Sequence, residues 1–292
     1  MLAPMLGRTP QEVALVGGDV EPYAAHVPPG SPLVRWLGHA SVLIEVAGVR
    51  VLTDPALTSR LAHLRRHHAV DATAIGSPDV ILISHVHIDH LHVPSLRLFD
   101  AEVPIIVPTG AAGWLRRKGF RNVRETRAGA TTELGAVVIE TVPAVHPSSR
   151  GPHSRIAADA VGYIVRGGDV AIYFPGDTDL FDEMGRWDAI DLALLPIGGW
   201  WRTVGEGHLD PERAARAVEL IDPRHVLPVH WGTYSPIALG RPAWLDTPAV
   251  RFRAELDAAG TGDRLRLVTP GETLVLPAPG RLPDTPDGAA GT

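Results

Sequence analysis

Four of the chain's 14 histidines fall within eight residues, in the segment Ser84-His85-Val86-His87-Ile88-Asp89-His90-Leu91-His92. Neutral imidazole nitrogens and a carboxylate are the donors that suit zinc, iron or manganese. On an extended segment, residues two apart point to the same side, so His85 and His87 can face one ion. Asp89 and His90 come on the next turn and can aim at a neighbouring point, a spacing that suits two cations about 3.5–4 Å apart. A histidine-rich surface loop that binds nothing is the bland alternative, and four imidazoles beside an acid, directly after an apolar run, argue against it. Cysteine is absent. That removes a disulfide framework, a thiolate nucleophile, an iron–sulfur cluster and a Cys-type zinc knuckle, so a metal here must be held by nitrogen and oxygen.

The elements that must carry these groups are readable around them. Asp79-Val80-Ile81-Leu82-Ile83 is apolar without alternation, as in a strand buried on both faces, and it delivers the histidine segment from its carboxyl end. Ser41 to Val46 and Val49 to Thr53 flank Ala47-Gly48, which predicts a hairpin with a two-residue turn. Further strands are expected at 103–107, 136–142, 160–166, 169–174, 191–196 and 225–229, with short helices over 94–99 and 113–118. Asp210-Pro211-Glu212 opens the clearest helix, with Asp at the N-cap and Pro at the first helical position; it should end at Asp222-Pro223. Another helix should span 248–259 and end at Gly260. Strands, hairpins and helices in this order predict a mixed-sheet α/β sandwich.

His-x-His-x-Asp-His after an apolar strand resembles the hallmark of the metallo-β-lactamase superfamily, and the likeness extends over most of the chain. His146 in Val142-Pro143-Ala144-Val145-His146, Asp177 in Pro175-Gly176-Asp177-Thr178 and His230 in His230-Trp231-Gly232-Thr233 follow in the family's order. Trp36-Leu37-Gly38-His39-Ala40-Ser41 and Thr53-Asp54-Pro55 are similar to the branch holding N-acyl-phosphatidylethanolamine-hydrolysing phospholipase D and the ascorbate-6-phosphate lactonases. The resemblance implies a four-layer αββα sandwich with two mixed sheets. It also implies two divalent metal ions, Zn2+ foremost with Mn2+ or Fe as alternatives. One ion would be held by His85, His87, His146 and Asp177, the other by Asp89, His90, Asp177 and His230.

Three further positions are weaker candidates. Asp54 ends a hairpin strand and could accept the second N–H of a ligand imidazole. His208, just before the helix cap, has its match at the active site of the phospholipase-like branch and could protonate a leaving group or hold an oxyanion. Trp200 and Trp201 could wall a pocket for an apolar substrate, or simply pack. They depart from the phospholipase pattern. His63, His67 and His68 stand among arginines as a small basic patch, expected to be a solvated loop. His26, His39, His92, His153 and His225 have no ligand-like partner in the sequence.

With 292 residues, 45% hydrophobic and 21% charged, the chain is an ordinary globular one that can bury its core without staples. Its net charge of −6 argues against bulk attraction to nucleic acid or anionic membranes. No apolar run reaches the length of a span, and no secretory signal is recognisable at Met1–Gln11. The expected organisation is a lead-in over 1–32 packed on the domain, a hydrolase domain over 33–276 and a flexible tail over 277–292. The expected activity is that of a cytoplasmic hydrolase in which two cations lower the pKa of a bridging water, with Asp89, Asp177, His208 and Asp54 in catalytic or supporting roles. The substrate is expected to be a small molecule carrying a phosphodiester. A lactone or other ester, or di-iron redox chemistry, are the alternatives. No nucleic acid and no stable membrane insertion are expected, and a homo-oligomer is allowed.

Overall fold

Three strands come first among the described residues, as an antiparallel meander: β1 (Leu33–Gly38), β2 (Ser41–Val46) and β3 (Val49–Thr53). The computed structural model describes residues 30–276 except 152, 153 and 155. The lead-in before residue 30, the tail over 277–292, His26 and His153 therefore lie outside the described residues. Ala47 and Gly48 take φ of 48° and 78°, the paired positive values that a tight turn between right-twisted strands requires. Pleating then decides the faces. Val42, Ile44 and Val46 join the large core between the sheets, whereas Leu43 joins a separate cluster on the opposite face.

A short ribbon, β4 (Arg60–Leu61) and β5 (Leu64–Arg66), precedes β6 (Val80–Leu82), which is wholly buried. β6 lies parallel between β3 and β7 (Ile105–Pro108), with α1 (Val93–Leu96) in the connection. α2 (Ala112–Arg117) leads on to the parallel β8 (Val123–Thr126). The second half repeats the plan. β9 (Thr131–Leu134), β10 (Val137–Pro143), β11 (Val161–Gly167) and β12 (Val170–Phe174) form a meander, and β13 (Leu192–Pro196) and β14 (His225–Val229) add to it in parallel. Between the last two runs α3 (Pro211–Ile221). Its N-cap Asp210 accepts from Arg213 N at 2.9 Å, and Asp222 closes it at φ 50°. Ala214, Ala217, Val218 and Ile221 form its buried stripe at helical spacing. β15 (Tyr234–Pro236) pairs with β5, α4 (Thr247–Ala258) packs on α3, and β16 (Thr273–Val275) returns to β1.

The result is a seven-stranded sheet in the order β16-β1-β2-β3-β6-β7-β8, facing a six-stranded sheet in the order β14-β13-β12-β11-β10-β9. Leu96, Ala112 and Leu115 cover the outer face of the first sheet against Leu43, Leu52 and Ile81. Ala217, Val218, Phe252 and Leu256 belong to the core that includes the second sheet. This is the four-layer αββα sandwich with two mixed sheets that the motifs implied. The expected helix over 94–99 is a single turn ending at Leu96, and β1, β4, β5, β8, β9, β15 and β16 add strands beyond those read from sequence. Among the described residues, no helix is long and apolar enough to cross a membrane.

Six strands deliver site residues from carboxyl ends that lie at one edge of the sandwich. β1, β3 and β6 run in one direction within the first sheet, and β10, β12 and β14 share a direction within the second. The loops leaving these ends carry, in order, His39, Asp54, the 84–92 segment, His146, Asp177 and His230.

Candidate metal centre

At that edge the imidazoles meet nitrogen to nitrogen. His85 Nε2 lies 3.0 Å from His87 Nδ1, which lies 2.9 Å from His146 Nε2. A second group converges beside it, with His90 Nε2 3.1 Å from His230 Nε2 and Asp89, His90, His230 and His39 all within ligand reach of one another. Asp177 stands between the two. Its Oδ2 is 3.2 Å from His90 Nε2 and 4.0 Å from His85 Nε2, and its Oδ1 is 3.3 Å from His230 Nε2. The structure thus brings His85, His87, Asp89, His90, His146, Asp177 and His230 together, although they span 146 positions of chain (85 to 230).

The far sides of these rings explain which nitrogens face inward. The carbonyls of Gly198 and Gly207 accept at 2.7 Å from His230 Nδ1 and His146 Nδ1. Asp54 Oδ2 accepts from His90 Nδ1 at 2.7 Å, and Ser84 Oγ accepts from His85 Nδ1 at 3.0 Å while donating to Asp54. A carbonyl or carboxylate can only accept, so the proton is fixed on Nδ1 and the Nε2 lone pair is left facing the centre. Asp54, fully buried and also bonded to Ser84 N at 2.8 Å, therefore orients one imidazole of each group. Asp177 Oδ1 is buried without a hydrogen-bond partner among the described residues. Lone pairs converging on an orphaned carboxylate oxygen are what a pair of divalent cations would satisfy, so the donor set fits the metals that the motifs imply.

Electrostatics point the same way. Burial opposes charge on His90, but Asp177, Asp54 and Asp89 outweigh it and hold its imidazole well above the usual histidine range. Burial likewise opposes ionisation of Asp177 and Asp89, yet the surrounding imidazoles keep both carboxyls well below the usual carboxylate range. Burial pushes His146 down to about 4 and His230 down to about 3, so both are neutral at physiological pH. Without an ion, the carboxylates thus draw a proton onto His90; a cation answers the same excess of negative charge.

Close backbone packing makes this convergence feasible. Gly176 has φ 65°, and a Cβ there would run into the Ser84 side chain, so only glycine lets Asp177 lie against the 84–90 segment. At Gly207, with φ 76°, a Cβ would meet Pro147 Cδ at 2.8 Å, so glycine allows the close approach in which its carbonyl accepts from His146. Three site residues, His39, Asp54 and His230, adopt left-handed backbone angles of 55°, 33° and 64°. Such strain persists where the surroundings enforce it. Here His230 N donates to His39 O at 2.9 Å, and His39 N donates to Thr233 Oγ1 at 2.7 Å.

His208 Nε2 sits 3.5 Å from Asp177 Oδ2, and its ring lies 4.6 Å from that of His146. Burial disfavours its charge, but the bond to Asp177 raises its pKa above the ordinary value. Two residues without any expected role are also here. His39, for which the sequence offered no partner, holds Asp89 Oδ2 at 3.1 Å through Nε2. The Gly-His turn within Trp36–Ser41 was the available signal. Arg150 Nη1 donates to the carbonyls of Val86 (2.8 Å) and Leu91 (3.1 Å), clamping both ends of the histidine segment, while its guanidinium lies over Trp114 at 4.6 Å. Nothing in the local sequence marks it. His63 is not merely part of a basic loop: it stands edge-on to Trp200 at 5.4 Å, while His67 Nε2 lies 2.8 Å from Ser235 Oγ. His92 Nδ1 lies 2.8 Å from Ser95 Oγ, away from the centre, and His225 Nδ1 has no partner among the described residues.

Fold and centre together define a protein of the metallo-β-lactamase type. The chain belongs to the β-lactamase superfamily, whose domain model matches residues 49–231, and within it to the UPF0173 metal-dependent hydrolases. A hydrolase of that family from Methanopyrus kandleri is 34% identical over 253 residues, covering 82% of this chain and 98% of that protein. One from Thermococcus onnurineus is 39% identical over 217 residues, covering 70% and 87%. Among solved structures, Igni18, a metallo hydrolase from Ignicoccus hospitalis, matches with a TM-score of 0.65 at 26% identity, over 84% of this chain and 97% of that one.

Proposed function

We propose that the chain is a dinuclear metal-dependent hydrolase of a small-molecule phosphodiester, with His85, His87, His146 and Asp177 holding one ion and Asp89, His90, Asp177 and His230 the other. The observation that carries this reading is the set of inward-facing Nε2 atoms of His85, His90, His146 and His230, whose Nδ1 protons are each committed to an oxygen on the far side, joined by His87, which turns its Nδ1 inward. Divalent cations bound there supply Lewis acidity that ionises water near neutral pH and polarises a phosphoryl or carbonyl oxygen. Asp177, within reach of His85, His90 and His230, would serve both ligand groups. Asp54 fixes the tautomers of His90 and, through Ser84, His85. His208, beside Asp177 on the open side, holds a proton at Nε2 that it can pass to a leaving oxygen.

The phosphodiester rests on the likeness of Trp36–Ser41 and Thr53–Asp54–Pro55 to the phospholipase-like branch. Zinc is the ion best suited to a site of imidazole and carboxylate donors. The test is metal analysis of the purified chain together with turnover of bis(4-nitrophenyl) phosphate and δ-valerolactone by wild type, His87→Ala and Asp177→Ala. The expected result is two equivalents of metal, phosphodiester turnover, and loss of both metal and turnover in the folded variants. Undiminished turnover in Asp177→Ala would refute the assignment. Turnover of the lactone alone would replace the substrate, and two irons with redox activity would replace the reaction.

A further inference from the structure

We infer that the substrate carries a bulky apolar group, of the size of an aromatic ring, that seats on Trp201 while its reacting end faces the metal centre; this rests on the reading of the centre given above. A single cavity of about 630 Å³ opens over His87, Asp89, Asp177, His208 and His230. Its far wall is the loop from Gly198 to Gly205, which contributes Trp200, Trp201 and Val204, and its near wall includes Ile88, set within the histidine segment itself.

Two of these apolar groups are left open to solvent: Trp201 and Ile88 are each 46% exposed. Their neighbours are not loose. Trp200 packs against the cluster of Ala56, Leu61, Leu64 and Tyr234 and meets the ring of His63 edge-on. Trp201 leans on Trp244 with ring centroids 5.9 Å apart. An indole held in place but uncovered, in the same cavity as the reacting groups, is the arrangement of a ligand wall. The loop also has a second duty. The Gly198 carbonyl accepts from His230, and two residues beyond the wall Gly207 accepts from His146. The wall is therefore anchored to the centre at both ends, which sets a fixed distance between apolar flank and reacting bond.

The test compares methylphosphonate with phenylphosphonate binding to the zinc-loaded protein by calorimetry, in wild type, Trp201→Ala and Trp201→Phe. Trp201 lies on the surface, so both variants keep the fold; a melting curve and zinc content check this. The phenyl compound should bind wild type about tenfold more tightly. That preference should fall within about twofold in Trp201→Ala and return in Trp201→Phe, with methylphosphonate affinity unchanged throughout. Equal affinity for both compounds in wild type, or a preference that survives in Trp201→Ala, would overturn the wall and leave the metal centre standing. Failure of both phosphonates to bind the loaded wild type would overturn the reading of the centre and this inference with it.

Discussion

Replacing Asp54 with Asn tests the centre at a residue that touches no ion. The side chain keeps its volume, and Asn is among the few residues at ease with the φ of 33° found there. Only the hydrogen-bond sense changes. Asp54 accepts from Ser84 N at 2.8 Å, from Ser84 Oγ and from His90 Nδ1 at 2.7 Å. Asn can keep one of these with its carbonyl, but its amide donates where the second oxygen accepted. His90 must then carry its proton on Nε2, the atom 3.2 Å from Asp177 Oδ2, and Ser84 Oγ is turned to donate to His85 Nδ1, with the same consequence there. One lone pair is lost from each group of ligands. Orienting partners of this kind are worth 10–100-fold in metal affinity, so the joint loss should be about 100-fold, or about 2.8 kcal/mol at about 1.4 kcal/mol per decade. Competition against a chromophoric zinc chelator reads this directly, with a melting curve of the ion-free variant as control for folding. Zinc affinity within threefold of wild type in a folded Asp54→Asn protein would refute the tautomer reasoning.

Other expected outcomes follow from the same geometry. Gly176→Ala should destabilise the ion-free chain by about 2–5 kcal/mol, from left-handed backbone strain plus the collision with Ser84, measured as a shift in urea midpoint. His208→Gln should lower kcat by about 10²–10³ while metal content stays at wild type, since His208 holds a proton rather than an ion; a variant that loses metal instead would make it a ligand. Acid should loosen the ion-free protein. His146 and His230 have folded-state pKa values of about 4 and about 3 against an ordinary 6.5. Their unfolded forms take up protons first as the pH falls, so their contribution is intact above 6.5 and lost between there and about 3. His90, raised in the fold, acts oppositely, and its contribution fades as pH rises through its folded-state value. Melting temperatures between pH 7 and 4, with and without zinc, should show a fall that zinc offsets; a flat profile would contradict the burial of neutral imidazoles.

Much of the plan was legible in the chain itself. Val80–Leu82 is apolar at every position because helices cover one face of its sheet and a second sheet the other, and that pattern placed the histidine segment at a strand end. Asp210-Pro211 and the Ala47-Gly48 turn are local devices, in which a cap and two backbone angles are decided by the residues on the spot. Strands such as β9, with Thr131 and Glu133 exposed and Thr132 and Leu134 only half-buried, carry no such pattern, because they are held by ladder bonds to β10 rather than by burial. The ligand types and their spacing within 85–90 are likewise properties of sequence. Which nitrogen of His85, His90, His146 and His230 faces inward is not. It depends on the carbonyls of Gly198 and Gly207 and on the Asp54 carboxylate, brought in from loops 31 to 61 residues away from the rings they orient (Asp54 to His85, His146 to Gly207). The same holds for the Arg150 clamp and for His39 on Asp89, since a hydrogen bond forms where two strand ends meet in space, and only the closing of one sheet over the other makes them meet.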